Sequence, residues 1–338
     1  MNIIFFGSAS DSVIVLDTLI HFPSSDFPAS PADGRLLLSA VVTQPPTPIG
    51  RKQVISPTPV EIWAKKHNLP VLSFENDPKK PWLFQNEEDA VNTLSTFKPD
   101  LLISACYGVK IPQQILKKAK FKGLNIHPSL LPRWRGADPI PWTILSGDQQ
   151  TGVTVVTMSE QFDQGKIIRQ KKTQVTDTDL PDPLRKKIFT YGADLLISSL
   201  PDYLSGKNKG VNQKSQRATY ARKLTRSDGF IPWYHLQTAM EGGDVPREKR
   251  NGILTSVLCP LPSAITRAIR ALSPWPGVWT LINPTNLPAG EAGLQIRQMK
   301  KRLKIIAAHV ENNKLILDTV QLEGKNPVTW LKFKKAYL

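Results

Sequence analysis

The residue types in this chain best suited to chemistry crowd into GLNIHPSLLPRWRGADPIPW, residues 123–142, more densely than hydrophobic periodicity requires. Asn125 and His127 are two positions apart, so on a strand they share one face, and Pro128 ends that strand at once. An amide donor beside an imidazole suits the stabilisation of a developing oxyanion and the movement of a proton. A histidine at a strand end is also commonly a satisfied structural residue, and the pair alone does not separate the two readings. Asp163, in QFDQGK, adds a third group, because a loop between two strands could carry its carboxylate to the same edge. There it would orient the imidazole and raise its pKa. The competing reading is an aspartate that caps a turn.

The elements that must position these groups are legible from the patterning. Residues 2–6 (NIIFF) form a short apolar run ending at Gly7, and a helical pattern follows through Ile20. A second strand, Leu36 to Thr43, leads into the proline-rich loop 44–57, after which Thr58, Pro59 and Glu61 supply a capping box and a first-turn proline for a helix to His67. Apolar runs at 100–105 and 124–127, separated by helical patterns, continue the alternation of a parallel sheet flanked by helices. The carboxyl edge of such a sheet is where ligands bind, which places Asn125 and His127 well. The runs 151–158 and 166–172 pair as an antiparallel addition with Asp163 between them, and 180–204 reads as a long closing helix. Residues 205–223, rich in Gly, Asn, Ser and basic residues, read as a linker. Beyond it, an amphipathic helix at 262–272 and β-like runs at 278–282, 302–309 and 314–320 suit a small barrel-like domain.

A chain of 338 residues is long enough for two domains. With 40% hydrophobic and 21% charged residues and no run of 18 apolar residues, it is neither disordered nor membrane-spanning. Its two cysteines, Cys106 and Cys259, stand far apart without ligand-spaced neighbours, which excludes a disulfide framework and a zinc knuckle. The lone Gly7 lacks the further glycines of a dinucleotide fingerprint, and no phosphate-binding P-loop motif occurs. The net charge of +16 is uneven: residues 1–205 hold 22 Lys+Arg against 20 Asp+Glu, whereas 206–338 hold 22 against 8, a net +14. A one-sign excess confined to one segment points to a nucleic-acid partner, with a solvated surface as the bland alternative.

Residues 123–168 closely resemble the signature of folate-dependent formyltransferases, including the spacing from His127 to Asp163. The blocks TQPPTPIGRKQVISPTPV (43–60), CYGVKIP (106–112), PWPGVW (274–279) and VQLEGK (320–325) are similar to the members that act on methionyl-tRNA. The resemblance implies a Rossmann-like α/β catalytic domain over 1–205, a basic linker at 206–225 and an OB-like β-barrel over 226–338 that helps hold tRNA. It further implies 10-formyltetrahydrofolate as co-substrate without a metal and methionyl-tRNA as partner; a monomeric chain without membrane attachment is expected. Family roles fall on Asn125, His127 and Asp163 as catalytic and on Ser129, Leu130, Leu131 and Pro132 as the folate contact. Arg51 and Lys52 in the proline-rich loop, with Arg222 and Lys223 in the linker, are implied as tRNA contacts. Three features depart from the family pattern. The loop after Arg51 is poorer in basic residues and glycine, segments 22–34 and 238–262 are longer and read as surface insertions, and the C-terminal basicity is greater, which suggests a mitochondrial member although the start carries no transit peptide. A formyltransferase or hydrolase for a small molecule shares the central block. A non-catalytic RNA-binding protein on the same scaffold is the alternative of another class.

Overall fold

The computed structural model describes residues 1–21, 36–50, 52–250, 252–257, 259–283 and 300–338. By compactness the chain divides into two units: Met1–Pro139, Gln150–Gln174 and Leu184–Ala221 form the first, and Ile140–Gln149, Val175–Pro183 and Arg222–Leu338 form the second.

In the first unit β1 (Asn2–Phe6), α1 (Ser10–Ile20), β2 (Leu37–Thr43), α2 (Pro59–Lys66), β3 (Val71–Ser73), α3 (Glu87–Ser95), β4 (Leu101–Ala105), α4 (Gln113–Lys118) and β5 (Gly123–His127) alternate. The chain then passes through α5 (Pro139–Ser146), all but its first residue in the second unit, and returns for β6 (Gln150–Thr157), β7 (Ile167–Gln174) and the long α6 (Pro181–Leu204), whose first turn lies in the second unit. One seven-stranded sheet results, in the order β7-β6-β5-β4-β1-β2-β3. Its pairings are parallel from β3 to β5, whereas β6 runs antiparallel to both β5 and β7. Strand order reverses between β1 and β4, the switch point of a Rossmann-like sheet. Helices on both faces explain why the central strands read as unbroken apolar runs: all five residues of β4 are buried. Thr58 caps α2 by accepting from the Glu61 N–H at 3.1 Å, while the Glu61 carboxylate turns to Lys65 at 2.7 Å.

Two features of this unit differ from the sequence reading. The proline-rich loop contains a small hairpin, Thr47–Ile49 paired with Val54–Ser56, too short to leave a periodic signal. The basic segment expected as a linker at 206–225 is tied down instead. Val211 exchanges backbone hydrogen bonds with Ile167 at 2.8 and 2.9 Å, and Tyr220–Ala221 pairs in parallel with Arg135–Gly136. The backbone polar groups of an irregular segment find partners at sheet and loop edges, which composition does not reveal.

The second unit carries α7 (Trp233–Met240), α8 (Leu261–Ala271), β8 (Val278–Ile282), β9 (Lys301–Glu311), β10 (Lys314–Leu322), β11 (Val328–Thr329) and α9 (Trp330–Tyr337). Its four strands form an antiparallel sheet in sequence order, close to the β-like runs anticipated. Leu315 and Leu317, then after a change of phase Val320 and Leu322, are buried on β10, as are Ile265, Ala268 and Ile269 on α8. Register shifts in β9 around Ala307 bend the long strand, as barrel-like sheets require.

Candidate active site

The carboxyl end of β5 brings the three expected groups together. Asn125 and His127 leave the strand on one face, and Asp163 arrives from the loop between β6 and β7. The Asp163 carboxylate lies 3.3 Å from His127 Nδ1, and Asn125 Nδ2 donates to the same oxygen at 3.5 Å. On its other side His127 Nε2 is 2.8 Å from the Trp134 carbonyl, so an imidazolium here donates through both nitrogens. The second Asp163 oxygen accepts the Gly136 N–H at 2.8 Å. Trp134 and Gly136 are contacts that sequence reasoning missed, because each acts through its backbone.

The loop geometry is demanding. Asp163 sits at φ +58, a left-handed conformation that costs a non-glycine residue about 1 kcal/mol or more. Two residues on, a Cβ at Gly165 would fall 1.7 Å from the Thr157 carbonyl oxygen, so only glycine lets the loop return this closely to β6. The loop is thereby held where the carboxylate meets the imidazole.

Both ring and carboxylate are buried, with side-chain exposures of 5% and 8%. Burial opposes charge on His127. The Asp163 charge, the hydrogen bond to it and the Trp134 carbonyl together outweigh that cost and hold the imidazole above its ordinary pKa. Burial likewise opposes charge on Asp163, but His127, the Gly136 N–H and the Arg135 guanidinium bring its pKa below the usual carboxylate range. The two shifts favour the same state, an imidazolium facing a carboxylate, which would present a preorganised positive charge and a proton at the sheet edge.

The other expected site residues are placed less uniformly. In the loop after β5, the Ser129 hydroxyl donates to the Arg133 carbonyl at 2.6 Å, and Leu131 is buried with its N–H donating to Thr154 Oγ1 at 3.1 Å. Leu130 and Pro132 stay half-buried. Arg51 and the whole of segment 22–34 lie outside the described residues, and Lys52 is exposed in the turn of the small hairpin. In the second unit, Arg222 grips Asp228 through both terminal nitrogens and lies over the Trp142 ring, 5.5 Å from its centroid. Lys223 beside it is exposed. Among the described residues no group of three or more His, Cys, Asp or Glu is arranged to hold a metal ion.

A sequence profile described as Formyl transferase matches residues 26–200, just over half of the chain. The methionyl-tRNA formyltransferase of Enterococcus faecalis is 32% identical over 343 residues, spanning 98% of this chain and 95% of that protein. Among solved structures, a sugar N-formyltransferase from a Shewanella species superposes with a TM-score of 0.54 at 14% identity, over 83% of this chain and 93% of that one. HypX from Aquifex aeolicus, solved in complex with tetrahydrofolic acid, gives a TM-score of 0.50 at 14% identity, over 98% of this chain and 46% of that chain. The structural likenesses bear on the fold alone, but the full-length sequence match does more: this chain belongs to the methionyl-tRNA formyltransferases, within the formyl transferase family.

Proposed function

We propose that the chain transfers a formyl group from 10-formyltetrahydrofolate to the α-amino group of methionyl-tRNA, yielding the formylated initiator of translation. The observation that carries this reading is the convergence of Asn125, His127 and Asp163 at the carboxyl end of β5, in a chain related over nearly its whole length to methionyl-tRNA formyltransferases. The folate supplies an activated formyl carbon. The nucleophile, an α-amino group whose ordinary pKa is about 7.7–8.0 and is lowered further by the neighbouring ester, is largely neutral near pH 8. The remaining barrier lies in the oxyanion of the tetrahedral adduct and in protonation of the leaving nitrogen.

This chain's residues answer both needs. Asn125 holds its amide at the 3.5 Å limit of a hydrogen bond to Asp163, so little is lost when it turns to donate to the oxyanion. His127 gives a proton to the leaving folate nitrogen, Asp163 keeps the ring oriented, and the proton shed by the attacking amine as the amide forms returns to the His127–Asp163 pair. Of the segment Ser129–Pro132, the half-buried Leu130 and Pro132 suit packing against the flat folate ring, whereas Ser129 and Leu131 serve the loop itself. Arg51, Lys52 and Lys223 are proposed to meet tRNA phosphates.

The test is a formyl-transfer assay with Met-tRNA and glycinamide ribonucleotide offered side by side. Transfer to Met-tRNA alone is expected, and preference for the small molecule overturns the reading. Arg51→Ala should lower transfer to Met-tRNA while leaving folate affinity at the parent value.

A further inference from the structure

The basic segment that follows α6 reaches back to the catalytic loop through one side chain. Gln213 donates through Nε2 to two backbone carbonyls, of Asp163 at 2.7 Å and of Gly165 at 2.8 Å. Its Oε1 accepts from Arg135 Nε at 3.1 Å and from Nη2 at 2.8 Å. Arg135 is 2% exposed, and its neighbour Gly136 gives the N–H that binds the Asp163 carboxylate. One carboxamide thus fastens the loop that carries Asp163 to the strand that receives it. The segment itself is anchored on both sides, by Val211 against Ile167 and by Tyr220–Ala221 against Arg135–Gly136. The mechanism above uses none of these contacts.

We propose that Gln213, held by Arg135, is a positioning residue for the formyl-transfer reaction: it fixes the backbone of Asp163 in its left-handed conformation and so sets the carboxylate against His127. Asp163 at φ +58 is strained and persists only if its surroundings over-determine it. The Asp163 and Gly165 carbonyls both face Gln213 Nε2, whose two N–H groups serve one each, so losing the carboxamide leaves both without this donor. The Arg135 fork in turn fixes which end of the carboxamide faces the loop, because a guanidinium cannot accept a hydrogen bond. The segment read as a linker is, by this inference, part of the catalytic apparatus of the first unit.

The proposal rests on the reading of Asp163 and His127 as the catalytic pair, and its test separates the two. The charged groups that act on this pair are the partners themselves and Arg135. In the full-length protein, Gln213→Leu keeps the size of the side chain and removes all four hydrogen bonds. An NMR titration of the His127 ring in the ligand-free variant should show its midpoint lowered by at least about half a pH unit, because a displaced carboxylate no longer favours the imidazolium. In the formyl-transfer assay kcat should fall about tenfold to a hundredfold, as loss of near-ångström positioning does, with KM for both substrates within about twofold. Arg135→Lys, which keeps the charge but loses the fork, should move both readouts the same way by a smaller amount. It serves as the measurement if Gln213→Leu does not fold. A His127 midpoint at the parent value in a folded variant overturns the positioning role whatever the rate does. A lowered midpoint with kcat at the parent value upholds the positioning and overturns instead the assignment of the pair to catalysis.

Discussion

At the scale of single residues, the Asp163–His127 pair makes a signed prediction about pH. His127 is held above its ordinary pKa, so its share of folding stability is complete below about pH 6.5 and is lost as pH rises through the raised value. Asp163 is held below its ordinary pKa, so its share is complete above about pH 3.9 and is lost as pH falls through the depressed value. Urea unfolding of the parent and of Asp163→Asn should therefore differ most between about pH 4 and 6.5, with the gap closing towards alkaline pH. A gap that widens as pH rises above 7 would contradict the pairing. In the formyl-transfer assay the same variant should lose at least about a hundredfold in kcat. A second pair of residues separates charge that is free to bind from charge already in use. Arg222 is committed to Asp228, and its removal leaves that carboxylate without its strongest partner. Arg222→Ala should lower stability by about 1 kcal/mol, a modest figure because half of the arginine side chain is exposed and its charge is screened by solvent. Lys223→Ala should leave the melting temperature alone and weaken tRNA binding, which a filter-binding series on both variants would read.

Among the elements, the loop between β6 and β7 is the most exacting, and Gly165 is its tightest point. A Cβ there meets the Thr157 carbonyl, so Gly165→Ala must push the loop away from β6 or distort the strand. Overpacking of this kind costs about 1–3 kcal/mol, and the displaced loop carries Asp163 with it. We expect a lower unfolding midpoint together with a loss of kcat larger than the unfolded fraction explains. Parent-like activity per folded molecule would show that the loop tolerates the shift. The strands at the site are legible in the sequence because β4 is buried throughout and leaves an apolar run, while β5 alternates Leu124 and Ile126 with Asn125 and His127. The hairpin in the proline-rich loop and the anchoring of residues 208–221 were not legible. Both depend on backbone hydrogen bonds between segments of no periodicity.

For the whole molecule, the uneven charge is the property that matters. Residues 206–338 carry a net +14. A protein that neutralises Z phosphates loses affinity with log salt at a slope of about −0.7Z to −0.9Z. Roughly four or five contacts would make Met-tRNA affinity fall more than about tenfold between roughly 50 and 200 mM salt, while folate affinity moves far less. A tRNA affinity indifferent to salt would assign the excess charge to a solvated surface and favour a small-molecule substrate. Compactness also draws α5 and residues 175–183 into the second unit, which no shift of composition along the chain announces.

Composition and spacing alone yield the alternation of strands and helices, the placing of Asn125 and His127 on one face and the excess of positive charge confined to residues 206–338. Periodicity, residue type and spacing are local properties and survive in one dimension. Only the tertiary structure decided that Asp163 reaches His127, that the Trp134 carbonyl and the Gly136 N–H complete the pair, and that Gln213 closes the loop from 50 positions away. Apart from the Asp163–His127 contact itself, each has a backbone atom on one side, which every residue carries alike. Their partners are therefore chosen by the path of the chain in space, and no pattern of side chains records that path.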